Sequence, residues 1–229
     1  MIIRAGAGTN TIDKDAAAAR GIYVCNVPGR NAAAVAELAI GLLIAIDRNI
    51  PDNVLALRQG NWNKKRFSVA VGLKGRRMGV VGLGAVGLEV LERAHAFGLE
   101  LYVIDRPNRW RETHDRLVRI GGIKSVTDLK ELAERCEILS FHVPSVAGTK
   151  KMVDGELLAR MPVGAIVINT SRGDIVDEEA LIKAMDEKGI RAGLDVFCEE
   201  PSGGEAVFES VLATHPNVYG THHIGASTD

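Results

Sequence analysis

Between residues 78 and 220 the chain alternates between two kinds of apolar pattern. Compact apolar runs occur at Met78–Val81, Leu101–Ile104, Ile138–Phe141, Ala165–Ile168, Ile190–Leu194 and Val218–Gly220. Between them, Ala85–Phe97, Val126–Arg135, Asp154–Arg160 and Asp177–Lys188 carry helical spacing, most with Asp or Thr at or near the start. Runs without polar alternation predict strands covered on both faces. With helices between them, such strands predict a parallel sheet. The expected fold class is α/β, a doubly wound parallel sheet.

The first part of the chain follows a different pattern. Ile2–Ile3 is too short for a complete strand. Asp13 caps a short helix reaching Arg20, and a strand Ile22–Cys25 leads into a turn at Asn26-Val27-Pro28-Gly29. Asn31 opens a long helix through Arg48, which Pro51 must break or restart. Gln59 to Arg77 is polar, basic and rich in turn residues, and is expected to be a connection into the sheet.

Composition removes several function classes. Of 229 residues, 28 are Lys or Arg and 29 are Asp or Glu, so the basic excess of a nucleic-acid binder is missing. Aromatic residues make up 4%, too few for base-stacking platforms. The longest nearly apolar run, Ala32 to Ile46, contains Glu37 and is too short to cross a bilayer. No secretory leader pattern opens the chain, and Cys25, Cys136 and Cys198 form no CxxC or metal spacing. These features predict a cytoplasmic protein with free thiols and no metal.

The first strand of the series runs into Gly82-Leu83-Gly84-Ala85-Val86-Gly87, a G-x-G-x-x-G segment that opens a helix. Gly82 permits the tight turn, Gly84 permits close approach of a pyrophosphate, and Gly87 lets helix and strand pack closely. The helix N-terminus offers unpaired N–H groups to the phosphates. Asp105 ends the next strand, 21 residues after Gly84, where a carboxylate meets ribose hydroxyls and disfavours a 2′-phosphate. The cofactor expected is NAD on a Rossmann-type domain. Arg106, Arg109, Arg111, Arg116 and Arg119 lie nearby; they are expected to be a solvated helix face paired with Glu112 and Asp115 rather than a phosphate clamp.

Polar residues follow the later strands, at the ends where such sheets bind ligands. They are His142, Val143 and Pro144; Asn169-Thr170-Ser171-Arg172-Gly173; Asp195 with Glu199-Glu200-Pro201; and His222-His223-Ile224-Gly225. Arg can hold a carboxylate through two parallel bonds, and a His oriented by Glu can exchange a proton near neutral pH. Composition alone does not choose between His222 and His223. Cys198 reads as a small packing residue rather than a redox thiol, and Glu199 as a solvated neighbour. Val35, Leu38, Leu42 and Ala45 form a helical stripe of core or subunit interface.

In order along the chain, Arg4-Ala5-Gly6-Ala7-Gly8-Thr9, Cys25-Asn26-Val27-Pro28-Gly29, the glycine segment, Asn169–Gly173, Gly193-Leu194-Asp195-Val196-Phe197 with Glu200-Pro201, and His223-Ile224-Gly225-Ala226-Ser227-Thr228 resemble the signatures of the D-isomer-specific 2-hydroxyacid dehydrogenases. The resemblance implies that Arg172 binds the carboxylate of a small 2-hydroxy acid, that His223 is the proton donor and that Glu200 pairs with it. It further implies that Gly82, Gly84, Ala85, Val86, Gly87, Asp105, His142, Val143, Pro144, Thr170, Ser171, Arg172, Asp195, His223, Gly225 and Ala226 line the NAD site. It implies a homodimer formed through the nucleotide domain. Within the family, Asp47-Arg48-Asn49-Ile50-Pro51 with Gly60-Asn61-Trp62 is most similar to the branch acting on 3-phosphoglycerate, and Glu200 differs from the Gln of the formate branch. A glycerate, glyoxylate or lactate enzyme, or an NAD-sensing corepressor of the same fold, is the alternative.

Asn10-Thr11 departs from the acidic-then-Asn pair usual after Gly-Thr. The family also has a stretch before the position of Ile2 and a returning helix after Thr228, both belonging to the substrate domain. The expectation is therefore a chain short at both ends: residues 1–28 a remnant of the substrate domain, 29–222 the NAD-binding domain, and 223–229 the start of the return.

Overall fold

A computed structural model describes every residue except Ala7, Asn10, Ser202, Gly203 and Asp229. Ala7 of the first signature and Asn10 of the Asn10-Thr11 departure therefore lie outside the described residues.

In chain order the elements are β1 (Ile2–Arg4), α1 (Lys14–Ala19), β2 (Val24–Asn26), α2 (Ala32–Arg48), α3 (Ile50–Arg58), α4 (Lys64–Phe67), β3 (Arg77–Val81), α5 (Ala85–Ala96), β4 (Glu100–Ile104), α6 (Arg111–Ile120), β5 (Lys124–Val126), α7 (Leu129–Arg135), β6 (Ile138–Phe141), α8 (Gly155–Arg160), β7 (Ile166–Asn169), α9 (Glu178–Lys188), β8 (Arg191–Leu194) and β9 (Val218–Gly220). Strands β3 to β9 form one parallel sheet in the order β5-β4-β3-β6-β7-β8-β9. The chain winds outward from β3 to β5 and then returns to β6, which creates a switch point between β3 and β6. The doubly wound α/β expectation agrees with this architecture. No described helix is long and apolar enough to cross a membrane.

Alternate side chains of these strands enter two cores, one on each face of the sheet. Val81, Leu139, Phe141 and Val167 pack with α7, α8 and α9 through Leu132, Leu158 and Leu181. Val80, Ile138, Ile166 and Ile168 pack with α2 and α5 through Leu43, Ile46 and Leu91. Helix α2 lies so close to the sheet that a Cβ on Gly193 would fall 3.0 Å from Leu42 Cβ. The Val35–Ala45 stripe is largely this core: Val35 and Leu42 are buried. Pro51 restarts the helix as expected, with Asn49 in the left-handed region (φ 49°) ending α2 and opening α3.

Several boundaries differ from the expectation. Val126 ends an edge strand rather than opening a helix; it pairs with Ile104, and Asp128 then caps α7 by accepting Glu131 N–H at 2.8 Å. Ile2–Arg4 is a complete strand after all. It pairs in parallel with Val24–Asn26, two residues later than the expected start at Ile22, in a separate two-stranded sheet.

Candidate functional site

Strand register sets the site. Val81 pairs with Phe141, Phe141 with Asn169, Asn169 with Leu194, and Leu194 with Gly220. The residues that follow these positions, Gly82, His142, Thr170, Asp195 and Thr221, therefore stand side by side along the carboxyl edge of the sheet. Asp105 continues the row on the other side, because Val103 pairs with Val80. This edge, at a switch point, is where open α/β sheets bind ligands.

The glycine turn is built by close backbone approach. Gly82 has φ 94°, and a Cβ there would fall 2.3 Å from the carbonyl oxygen of His142. A Cβ on Gly87 would fall 1.9 Å from the carbonyl oxygen of Gly82, so helix and strand touch directly. Gly84 differs: it caps α5 without any side-chain bond, and nothing lies within 4 Å of where its Cβ would be. The first amides of α5, at Ala85, Val86 and Gly87, have no intrahelical acceptor. An open glycine before a twelve-residue helix with free amides fits a pyrophosphate.

Asp105 is exposed at the end of β4, its N–H donating to Val126. Three of the neighbouring arginines are engaged with other protein groups, Arg111 with the expected Asp115 and Arg116 with acids of α5 instead. Arg116 reaches back to Glu89 (3.0 Å) and Glu92 (2.7 Å) of α5 and lowers the Glu89 carboxyl together with Arg93. Arg111 lies 3.9 Å from Asp115, and Arg109 donates to the carbonyl of Ile104. Burial pulls the Arg109 guanidinium below its ordinary range, against the opposing charge of Asp105.

His142 supports the turn with its carbonyl. Its Nε2 pairs with Ser140 Oγ at 2.8 Å, while Nδ1 is buried without a partner, and burial holds the ring down at about 4. The imidazole is thus neutral packing at the edge. Val143 lies against Gly82, and Pro144 is exposed, its carbonyl accepting Thr149 Oγ1. On the next strand Asn169 closes a tight turn: its Oδ1 accepts Ser171 N–H and O–H, and its Nδ2 donates to the Arg172 carbonyl. Thr170 Oγ1 is buried in this turn with no partner. Arg172 Nη1 donates to the Ser171 carbonyl at 2.5 Å. Directly after it, a Cβ on Gly173 would fall 2.1 Å from the Phe197 carbonyl, so the Arg172 loop and the loop after β8 are in backbone contact.

That second loop carries Glu200. Its Oε1 accepts Phe197 N–H at 2.8 Å, and its Oε2 lies 2.6 Å from His223 Nδ1. The histidine that pairs with Glu200 is His223. With Nδ1 on the carboxylate, Nε2 is the ring nitrogen left for another molecule. Glu178 braces the same loop by accepting Cys198 N–H at 2.9 Å. Cys198 is exposed as a residue, yet burial of its thiol and the nearby Glu178 charge push it up to about 12. Asp195 requires a correction. Rather than facing the cleft, its buried carboxylate accepts Thr221 O–H, Ile224 N–H and Gly225 N–H. It fixes the loop of His223, and Gly225 is buried against it while Ala226 is exposed. Thr221, Glu178 and Ser140 were not singled out from the sequence; the one signal was their position at or one residue from a strand or helix end.

Among the described residues no group of three or more His, Cys, Asp or Glu could hold a metal ion. The site is that of a dinucleotide-binding α/β domain whose carboxyl edge carries an oriented histidine. Residues 40–225 match the model of the D-isomer specific 2-hydroxyacid dehydrogenase family, NAD binding domain, and the chain belongs to that family. It is 40% identical to D-3-phosphoglycerate dehydrogenase of Methanocaldococcus jannaschii over all of this chain and 42% of that protein. It is 38% identical to hydroxypyruvate reductase of Thermotoga maritima, over all of this chain and 71% of that protein. The solved D-lactate dehydrogenase of Aquifex aeolicus, complexed with NAD and lactic acid, is 26% identical and superposes with a TM-score of 0.83 over 100% of this chain and 71% of that one. The chain thus spans about two fifths to one half of the length of the phosphoglycerate dehydrogenases first matched (42% and 52%).

Proposed function

We propose that the chain carries the cofactor side and the proton-exchanging pair of an NAD-dependent dehydrogenase interconverting a 2-hydroxy acid and its 2-keto acid. The observation that carries this reading is the His223–Glu200 pair at 2.6 Å, its carboxylate fixed by Phe197 N–H and its loop touching the Arg172 loop. When bound, the nicotinamide supplies or accepts the hydride. Glu200 holds His223 so that Nε2 exchanges the proton of the substrate oxygen, and Arg172 binds the substrate carboxylate. Gly82, Gly84, Ala85, Val86 and Gly87 hold the pyrophosphate and Asp105 the ribose. The residues His142 to Pro144, Thr170, Ser171, Gly225 and Ala226 shape the remainder of the cleft.

The substrate we favour is 3-phosphoglycerate, as in the first step of serine biosynthesis. It is supported by the names of relatives such as those of Methanocaldococcus jannaschii and Haemophilus influenzae, both D-3-phosphoglycerate dehydrogenases, and by the Asp47–Pro51 and Gly60–Trp62 segments. Residues 29–222 form the NAD-binding domain, with 1–28 and 223–229 belonging to the substrate side; the separate β1–β2 sheet supports that division. A homodimer through the nucleotide domain is supported by the exposed Ile50, Val54, Leu55 and Leu57 of α3 with Trp62 beyond it. A cytoplasmic location fits the free thiols of Cys25, Cys136 and Cys198.

Turnover of 3-phosphohydroxypyruvate, hydroxypyruvate, glyoxylate and pyruvate with NADH tests the reading. The first should show the highest kcat/KM, and His223→Gln should lower kcat by about a hundredfold or more. NADH should bind better than NADPH by about tenfold or more, because a 2′-phosphate would face the Asp105 carboxylate, and Asp105→Ala should narrow the gap. No binding of NADH together with no turnover of any of these acids would overturn the assignment.

A further inference from the structure

His223 has φ 52°, a left-handed conformation that a non-glycine residue keeps only where its surroundings impose it. Asp195 supplies those surroundings. Its backbone carbonyl accepts His223 N–H at 2.8 Å, its Oδ1 accepts Ile224 N–H at 2.9 Å, and its Oδ2 accepts Gly225 N–H at 2.8 Å. The loop is pressed against this carboxylate so closely that a Cβ on Gly225 would fall 2.9 Å from Oδ2. A carboxylate can still turn about its last torsion, which has broad minima. Thr221 limits that turn. Its hydroxyl donates to Oδ1 at 2.7 Å, and its own N–H is anchored on the Leu194 carbonyl at 2.9 Å by the β8–β9 register.

We propose that Thr221 is a positioning residue for His223. By fixing the Asp195 carboxylate it sets the loop conformation that brings His223 Nδ1 onto Glu200. Thr221 spends its hydrogen bonds on Asp195 and Leu194 rather than on Glu200 or the imidazole. It acts from the end of β9, through one buried anion whose donors lie at positions 221, 224 and 225, on both sides of the histidine. The proposal rests on His223 being the proton-exchanging group, and the test below separates the two.

Thr221→Val removes the hydroxyl while keeping the branched shape and the backbone anchor; Thr221→Ser restores the hydroxyl. The ring-nitrogen resonances of His223 are recorded by NMR on the ¹⁵N-labelled chain, with Glu200→Gln as the reference for a histidine that has lost its charged partner. In Thr221→Val the Nδ1 resonance should move toward that reference, and in Thr221→Ser it should return to the wild-type position. With a 2-keto acid and NADH, Thr221→Val should lower kcat by about tenfold, the size of one weakened charged hydrogen bond, with KM unchanged. Movement of the Ile224 and Gly225 amides without movement of the His223 ring would reduce Thr221 to a structural residue and overturn the proposal, as would failure of serine to restore the ring. If the valine variant does not fold, Thr221→Ala carries the same expectations. Absence of NADH binding by the wild-type chain would defeat the dehydrogenase reading while the ring-nitrogen comparison still decides the role of Thr221.

Discussion

Gly82 and Gly84 stand two residues apart and meet opposite demands. Gly82 needs its glycine for the fold, since a side chain would combine φ 94° with a clash on the His142 carbonyl. Gly84 has φ −77° and open space around it, so its glycine serves whatever approaches from outside. Gly84→Ala is therefore expected to melt like the parent yet weaken NADH binding by about tenfold or more, whereas Gly82→Ala should cost on the order of 3 kcal/mol of stability. Thermal unfolding and NADH fluorescence titration of the two variants check this; equal loss of stability in both would remove the distinction. The glycines were legible because their spacing has one geometric meaning after a strand. His223 was legible only through the register of its segment, since His222 beside it has the same chemistry. The inward turn of His142 onto Ser140 left a fainter trace, the two-residue spacing that puts both on one face of β6. Nothing in the sequence showed that Asp195 would be taken up by three protein donors, because those donors converge only when β9 lies beside β8.

At the scale of elements, the apolar runs located the central strands to within a residue or two because each must fill two cores at once. The edge strand Lys124–Val126 escaped this reading since only Val126 is buried. Helix α6 has no buried residue, and the apolar positions it packs on the core, Leu117 and Ile120, fall only in its last turn, so it offered a shorter apolar signal than the other long helices. The polar connection from Gln59 to Arg77 holds the short helix α4, and its far end is tied down by a device the sequence did not announce. Asp47, at the end of α2, accepts Gly72 N–H and lies 3.2 Å from Arg76 Nη1, with both side chains buried. Removing Asp47 leaves the buried Arg76 guanidinium with Glu137, 3.6 Å from its Nε, as its remaining counter-charge. Asp47→Ala should destabilise the chain by about 3 kcal/mol or more, and Asp47→Leu combined with Arg76→Met should recover most of that loss. Urea unfolding of the single and double variants measures it. A double variant no more stable than the single would mean that the Gly72 amide, rather than the stranded charge, dominates.

Across the whole molecule, one register line orders six strand ends and brings Asp105, Gly82, His142, Thr170, Asp195 and Thr221 into a row. His142 stands near its middle, just past the end of β6 at the switch point, and its protonation acts on the stability of the fold. Burial holds the folded-state ring at about 4, against an ordinary value of 6.5. Between these values the unfolded chain binds a proton that the folded chain does not. Stability must therefore rise with pH through this window and fall as pH drops below 6.5. Carboxylates act lower down. Hydrogen bonds and opposite charges lower Glu89, mainly through Arg93, and Asp177, mainly through Lys151. Their contributions are complete above their ordinary values of 4.5 and 3.8 and fade as pH falls through the lower folded-state values. At pH 5 the histidine is thus already destabilising while those carboxylates still contribute almost fully. The loss on moving from pH 7.5 to pH 5 is about 2 kcal/mol, one and a half pH units at 1.36 kcal/mol each. His142→Gln can still bond Ser140 through its amide and cannot take up the proton. Its urea-unfolding free energy should therefore differ by about 2 kcal/mol less between the two pH values than that of the parent chain. An equal decrease in parent and variant would show that other groups govern acid sensitivity in this window, and that the half-buried ring at the sheet edge does not.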